Sequence, residues 1–176
     1  RQYWELAYPF AYEGIVEAAA DESKVPAPQI LAIMREESRF EPTAESYANA
    51  LGLTQLILPT ARRFGRELGL TITRRTLRDP DVNIRVGARY MGFLWSRYAG
   101  LAPLVAAAYN AGEGAVDKWL KERGSQPLDA FVESIPYSQT NLYTKRVMST
   151  LAIYTYLYGG DESGFLKLPF AIPPMR

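Results

Sequence analysis

A mainly α fold is expected for this chain of 176 residues, and three observations carry that expectation. Apolar residues recur at helical spacing, as in Val82, Val86, Tyr90, Phe93 and Leu94. Gly and Pro fall at intervals that punctuate helices of ordinary length. Alternating, β-branched runs are almost missing, so at most a minimal β element is expected. Hydrophobic residues make up 48% of the chain, which suits one packed domain rather than a disordered segment.

The elements follow from local chemistry. Residues 12–22 read as a first short helix, with Ile15, Val16 and Ala19 on one side. The stretch Val25-Pro26-Ala27-Pro28 interrupts it, and Pro28 suits the first turn of a helix running to about Arg39. Pro42 closes that segment. Residues 43–59 are small and polar, and read as an irregular loop with a turn near residues 52–56. Thr60 is expected to cap a helix over 61–68, with Gly69 as its stop. Residues 70–78 read as a short extended excursion. Asp79-Pro80 opens a long helix that Gly100 closes.

A small-residue helix is expected over 103–110, its three alanines Ala106, Ala107 and Ala108 permitting close packing. Gly112 and Gly114 are expected to break the chain before a helix over 115–123. A short helix over 128–134 ends at Pro136. The last helix, 138–158, carries Val147, Leu151, Tyr154 and Tyr158 in register. Residues 159–176 form a Gly/Pro-rich tail. Residues 1–176 are therefore read as a single domain. Because the chain starts at Arg1 without Met, another domain is expected to precede it in the full-length protein.

Charge and composition exclude several function classes. Nine arginines against three acids fall within residues 62–97, but they are scattered among apolar positions and read as solvated helix faces. No nucleic-acid motif is present. No apolar run is long enough for a membrane span. There is no cysteine and no histidine. That removes thiol and Ser-His-Asp nucleophiles, His general bases, and thiolate or HExxH metal sites. No metal site or cofactor is expected. Enzymatic chemistry would fall to carboxylates, hydroxyls, amides or lysines.

One carboxylate is out of place. Glu37 lies seven, four and three residues after Ile30, Ile33 and Met34, on their apolar stripe, while Glu36 lies on a more polar arc. A carboxyl in an apolar setting stays protonated to higher pH and can then donate a proton near neutrality. On this helix alone, an ion pair with Arg35 or Arg39 is the commoner outcome for such a glutamate.

Ordered motifs alter that balance. Glu37-Ser38 ends a helix, and Ser46 follows nine residues later. Then come Gly52-Leu53-Thr54-Gln55, Ala108-Tyr109-Asn110-Ala111-Gly112, and Glu133-Ser134-Ile135-Pro136-Tyr137 with Tyr143 beyond it. Near the start stands Tyr8-Pro9-Phe10-Ala11-Tyr12. In order and spacing these resemble the SLT (soluble lytic transglycosylase) family over roughly residues 8–158. The resemblance departs at Asn49, where many members have glycine, and at Thr54, where most have methionine. Asn tolerates a left-handed backbone and can preserve the turn; Thr54 could alter a sugar subsite.

The resemblance implies a lysozyme-like helical domain related to goose-type lysozymes. It also implies cleavage of peptidoglycan glycan strands between N-acetylmuramic acid and N-acetylglucosamine. Glu37 would protonate the bridging oxygen and then, as carboxylate, take a proton from the sugar's C6 hydroxyl, giving a 1,6-anhydro product without water. Ser46, Gln55, Tyr109, Glu133 and Tyr143 would contact substrate, with Ser38 and Asn110 supporting the site. Each has a plainer alternative: turn packing for Ser46 and Gln55, core packing for Tyr109 and Tyr143, a salt bridge for Glu133, a helix-end serine for Ser38 and a fixed turn for Asn110. The implied location is the periplasm or cell envelope of a bacterium, with other cell-wall enzymes as further partners. A lysozyme-like hydrolase and an inactive glycan-binding module remain the alternatives.

Overall fold

A computed structural model describes residues 2–159 and 167–173. Parts of the expected tail, 160–166 and 174–176, lie outside the described residues. Nine α-helices make up the described chain: α1 (Gln2–Ala7), α2 (Glu13–Ser23), α3 (Ala27–Ser38), α4 (Leu58–Glu67), α5 (Pro80–Arg97), α6 (Ala102–Ala111), α7 (Glu113–Arg123), α8 (Leu128–Glu133) and α9 (Ser138–Tyr158). The only strand-like pairing among the described residues is three isolated bridges, Glu45 with Leu51, Leu51 with Leu56, and Pro127 with Ala171. The expected mainly α class is what is found.

Helix α3 is the axis of the molecule. Pro28 sits in its first turn, and residues 28 to 34 are all buried, so that, Gln29 apart, the helix is apolar all round until its last turn. Such a helix must be enclosed, and α2 and α9 pack directly on it. Helix α6 lies on α9 as well, with α5 and α7 also against it. Ala106, Ala107 and Ala108 of α6 are fully buried, which lets the two backbones approach closely. One cluster of side chains gathers around α3 and α9, and a second around Phe64, Tyr90, Leu94 and Trp119. Tyr109 and Trp95 pack against both.

Several boundaries differ from those expected. Helix α1 precedes the first expected helix; it is amphipathic in no clear sense and buries no residue. Helix α4 begins at Leu58, because Pro59 at the first turn starts it, and Thr60 therefore lies inside it rather than capping it. Gly114 lies within α7, so Gly112 alone, with φ 84°, breaks the chain there. The excursion at 70–78 does not extend into a strand; it tightens into a 3-10 turn at Thr76–Arg78. Asp79-Pro80 opens α5 as expected, and Asp79 also caps it, accepting from the Val82 N–H at 3.1 Å. The arginines of 62–97 are largely paired at the surface: Arg63 with Glu113, Arg74 and Arg78 with Glu45, Arg85 with Glu22, Arg89 with Glu67 and Arg97 with Asp117.

Candidate active site

Helix α3 stops abruptly just after Glu37-Ser38. Arg39 and Phe40 both take positive φ, 53° and 67°, and turn the chain away. Two consecutive non-glycine residues in this region are uncommon. The turn leaves Glu37 on the wall of a cleft of about 660 Å³, which Ser46, Tyr47, Gln55, Tyr109, Asn110, Glu113 and Gln139 also line.

Glu37 makes no ion pair among the described residues. Arg35 instead lies over the Tyr8 ring, 4.0 Å from its centre. Arg146 approaches Glu36, its Nε 3.3 Å from Oε2, and Thr150 donates to the other Glu36 oxygen at 2.7 Å. Glu37 is left with one donor, the hydroxyl of Tyr143, at 2.6 Å from its Oε1. Burial raises its pKa from 4.5 to about 7; the Tyr143 hydrogen bond opposes the rise, the Glu36 charge adds to it, and Arg146 lowers it slightly. Among the described residues neither Arg35 nor Arg39 pairs with Glu37; the ion pair here joins the neighbouring Glu36 to Arg146 of α9.

The loop facing Glu37 is built around Asn83, a buried amide on α5. Its Oδ1 accepts from the Thr54 N–H at 2.8 Å and from the Thr54 hydroxyl at 2.7 Å. Its Nδ2 donates to the carbonyls of Leu51 at 3.0 Å and Leu77 at 2.8 Å. Gly52 sits against this amide with φ 75°, and a Cβ there would stand 2.3 Å from Asn83 Nδ2. Thr54 is therefore fully buried and structural; its side chain does not reach the cleft wall.

Held in this way, the loop presents Gln55, itself at φ 49°. Its Nε2 donates to Ala44 O at 3.1 Å and Gly52 O at 2.9 Å, which leaves the amide oxygen as its acceptor toward the cleft. Ser38 Oγ donates to Leu53 O at 2.8 Å, fastening the loop to α3. Ser46 closes its own turn, its Oγ accepting from the Ala50 N–H at 3.1 Å, which keeps the hydroxyl proton available. Asn49 has φ 60°, the left-handed conformation expected for it.

The opposite wall comes from α6. Tyr109 lays its ring on Tyr90, centroids 5.1 Å apart, and donates its hydroxyl to Thr54 O at 2.7 Å. Burial and the Glu37 charge push the phenols of both Tyr109 and Tyr143 well above their ordinary value, so both remain proton donors in hydrogen bonds. Asn110 accepts from the Thr140 hydroxyl at 2.8 Å and ties α6 to α9.

Glu37, Ser46, Gln55, Tyr109 and Asn110 thus share one cleft, with Tyr143 behind Glu37 and Ser38 beneath the loop. Glu133 is not at the cleft wall. It ends α8, lies exposed and pairs with Lys145 at 2.7 Å, beside a separate hollow that includes Leu128, Met148 and Phe170. Asn83, Tyr90, Glu113 and Tyr47 escape the sequence reading. Asn83 carries the same signal that singles out Glu37, a polar residue on an apolar stripe, here with Val86, Gly87 and Tyr90 at three, four and seven residues on. Glu113, the second carboxylate at the cleft, lies 3.4 Å from Arg63.

Known proteins resemble this chain in sequence and in fold. The family model for the Transglycosylase SLT domain matches residues 14–132. The soluble lytic murein transglycosylase of Escherichia coli K12 is 33% identical over 158 residues, which are 88% of this chain and 24% of that protein. Among solved structures, the 70 kDa soluble lytic transglycosylase of Escherichia coli superposes with a TM-score of 0.86 at 31% identity, over 93% of this chain and 27% of that one. The lytic transglycosylase Slt of Pseudomonas aeruginosa, solved as an inactive Glu-to-Gln mutant, does so with 0.84 at 33% identity, over 92% and 26%. The chain spans about a quarter of the length of these relatives.

Proposed function

The chain belongs to the transglycosylase SLT domain family, and from that premise we propose that it cleaves peptidoglycan glycan strands by transglycosylation. The bond is the β-1,4 linkage between N-acetylmuramic acid and N-acetylglucosamine, and the product carries a 1,6-anhydro end. The observation that carries this reading is Glu37, a carboxyl at the cleft with its pKa raised to about 7 and no ion pair among the described residues. Such a group is half protonated near neutrality and can serve as acid and then as base.

In the first step Glu37 gives its proton to the bridging oxygen as the bond to C1 breaks. As carboxylate it then removes the C6 hydroxyl proton, and that oxygen closes on C1. Positive charge at C1 is offset by the substrate's own N-acetyl group, so one carboxylate suffices. Tyr143 holds Glu37 in place through both protonation states. Gln55 and Ser46 offer an acceptor and a donor for acetamido and hydroxyl groups of the sugars. Tyr109 shapes the floor and supports the loop through Thr54. The periplasm, where such strands lie, is the proposed location, with other cell-wall enzymes as partners there. No helix among the described residues is long and apolar enough to cross a membrane.

A hydrolase would use a second carboxylate to activate water. Glu113 is the available candidate, and its engagement by Arg63 weighs against that role. The deciding experiment is mass spectrometry of muropeptides released from purified sacculi. Anhydro ends are expected, and their loss is expected with Glu37→Gln. Products heavier by one water throughout would overturn the transglycosylase reading, and full turnover by Glu37→Gln would overturn the role of Glu37.

A further inference from the structure

Tyr47 follows Ser46 in the loop that faces Glu37, and it is fully exposed while lining the cleft. No ring contact or hydrogen bond to it is present among the described residues. An aromatic side chain with neither packing nor a polar partner is the informative kind of exposed residue. The loop beneath it is not loose. Ser46 N donates to Ala50 O at 3.0 Å, Asn49 N to Ser46 O at 2.9 Å, and Ala50 N to Ser46 Oγ at 3.1 Å. At its root, Glu45 binds both Arg74 and Arg78, the latter at 2.9 Å. The Arg74 hydrogen bond is the first cause holding the Glu45 carboxyl below its ordinary pKa. Two of the arginines from the basic middle of the chain therefore brace a short turn whose tip is a bare aromatic ring.

We propose that Tyr47 is a stacking platform for the glycan, receiving the C–H face of a pyranose ring and adding to the hold on the strand in the cleft. The inference rests on the peptidoglycan reading above and adds to it a specificity-determining residue. A pyranose presents hydroxyls at its edge and C–H groups on its faces. The cleft described so far offers polar groups for the edge, from Gln55, Ser46 and Asn110. Tyr47 supplies the apolar face that those groups lack. The brace matters because it fixes the backbone that carries the ring, so less of the chain has to be ordered when the sugar arrives.

The test is steady-state cleavage of purified, soluble glycan strands by the wild-type chain and by Tyr47→Ala, Tyr47→Trp, Glu45→Gln and the Glu45→Gln/Tyr47→Ala pair. Tyr47→Ala is expected to raise KM on the order of tenfold, the scale of one aromatic contact, with kcat and the pH profile unchanged. Tyr47→Trp keeps KM near wild type, since it retains a flat ring. Glu45→Gln raises KM when Tyr47 is present and adds nothing in the Tyr47→Ala background. A wild-type KM for Tyr47→Ala, or a fall in kcat alone, overturns the platform. Additive effects of the two substitutions overturn the role of the brace. Because Tyr47 is exposed, its variants keep the fold. Glu37→Gln run alongside separates the outcomes: if it remains active the peptidoglycan mechanism fails, whereas if it is inactive and Tyr47→Ala behaves as wild type, only the platform fails.

Discussion

The Tyr143 hydroxyl donates to Glu37 Oε1 at 2.6 Å, joining two residues 106 positions apart in the chain. This bond works against the burial that raises the Glu37 pKa to about 7. Glu37 must begin protonated to act as an acid, so kcat/KM is expected to fall above about pH 7. Tyr143→Phe removes the opposing bond and keeps the ring. Its alkaline limb should therefore move to higher pH, alongside a lower kcat from a less firmly held carboxyl. A pH profile of glycan cleavage from pH 4 to 9 checks both statements, and a limb that moves to lower pH would contradict the first.

Glu36 and Arg146 act on Glu37 from the other side of α3, with opposite signs. The Glu36 charge raises the Glu37 pKa and the Arg146 charge lowers it. Glu36→Gln should then move the alkaline limb to lower pH, and Arg146→Gln should move it to higher pH. The double variant should fall near wild type, because the two charges pair with each other at 3.3 Å. Added salt should shrink both single shifts, as Arg146 is largely exposed and readily screened.

Glu37 and Asn83 show what was legible in the sequence. Both are polar residues on apolar helix stripes, and periodicity alone placed each stripe. For Glu37, motif order supplied the meaning of the anomaly. For Asn83 nothing local did, because its partners Leu51, Thr54 and Leu77 come from two loops whose paths no periodic pattern encodes. The helices from α2 to α9 were readable within a few residues because caps and prolines mark them. Helix α1 was not, since it buries nothing and so leaves no stripe. Tyr143 could be placed on α9 but not against Glu37, since that contact depends on how α3 and α9 pack. The sequence also could not distinguish which of two adjacent glutamates Arg146 would choose.

A carboxyl whose folded pKa exceeds its unfolded value makes the folded state less stable wherever the unfolded chain is ionised. For Glu37 the cost is absent below about pH 4.5, where both states are protonated, and grows between pH 4.5 and 7. Above pH 7 it is complete, with an upper limit of about 3 kcal/mol for a shift of this size. Partial contact of the carboxyl with the open cleft reduces it. Glu37→Gln should therefore be more stable than wild type at pH 8 and about equal to it at pH 4. Urea denaturation at the two pH values measures the gap. A gap that stays the same at both would mean that burial of the charge is not its cause.

Asn83 is the residue whose loss should damage the site most without touching the cleft. It is 1% exposed and serves two acceptors and two donors at once. Asn83→Ala leaves the Leu77 carbonyl and the Thr54 N–H without this partner, at about 1–3 kcal/mol for each unpaired group, while the Leu51 carbonyl keeps the Leu56 N–H at 3.1 Å. A loss of about 3–5 kcal/mol in stability is expected, with the Gln55 loop released and cleavage greatly reduced. Asn83→Asp should be no better, because it keeps the acceptor, forfeits both Nδ2 donations and introduces a buried charge. Thr54→Val removes only the hydroxyl's bonds to Asn83, at 2.7 Å to Oδ1 and 3.3 Å to the carbonyl, and should cost about 1 kcal/mol, leaving cleavage near wild type because the Thr54 side chain does not line the cleft. Thermal denaturation and glycan turnover on the three variants test this ordering. Loss of turnover in Thr54→Val at wild-type stability would instead place Thr54 in contact with substrate.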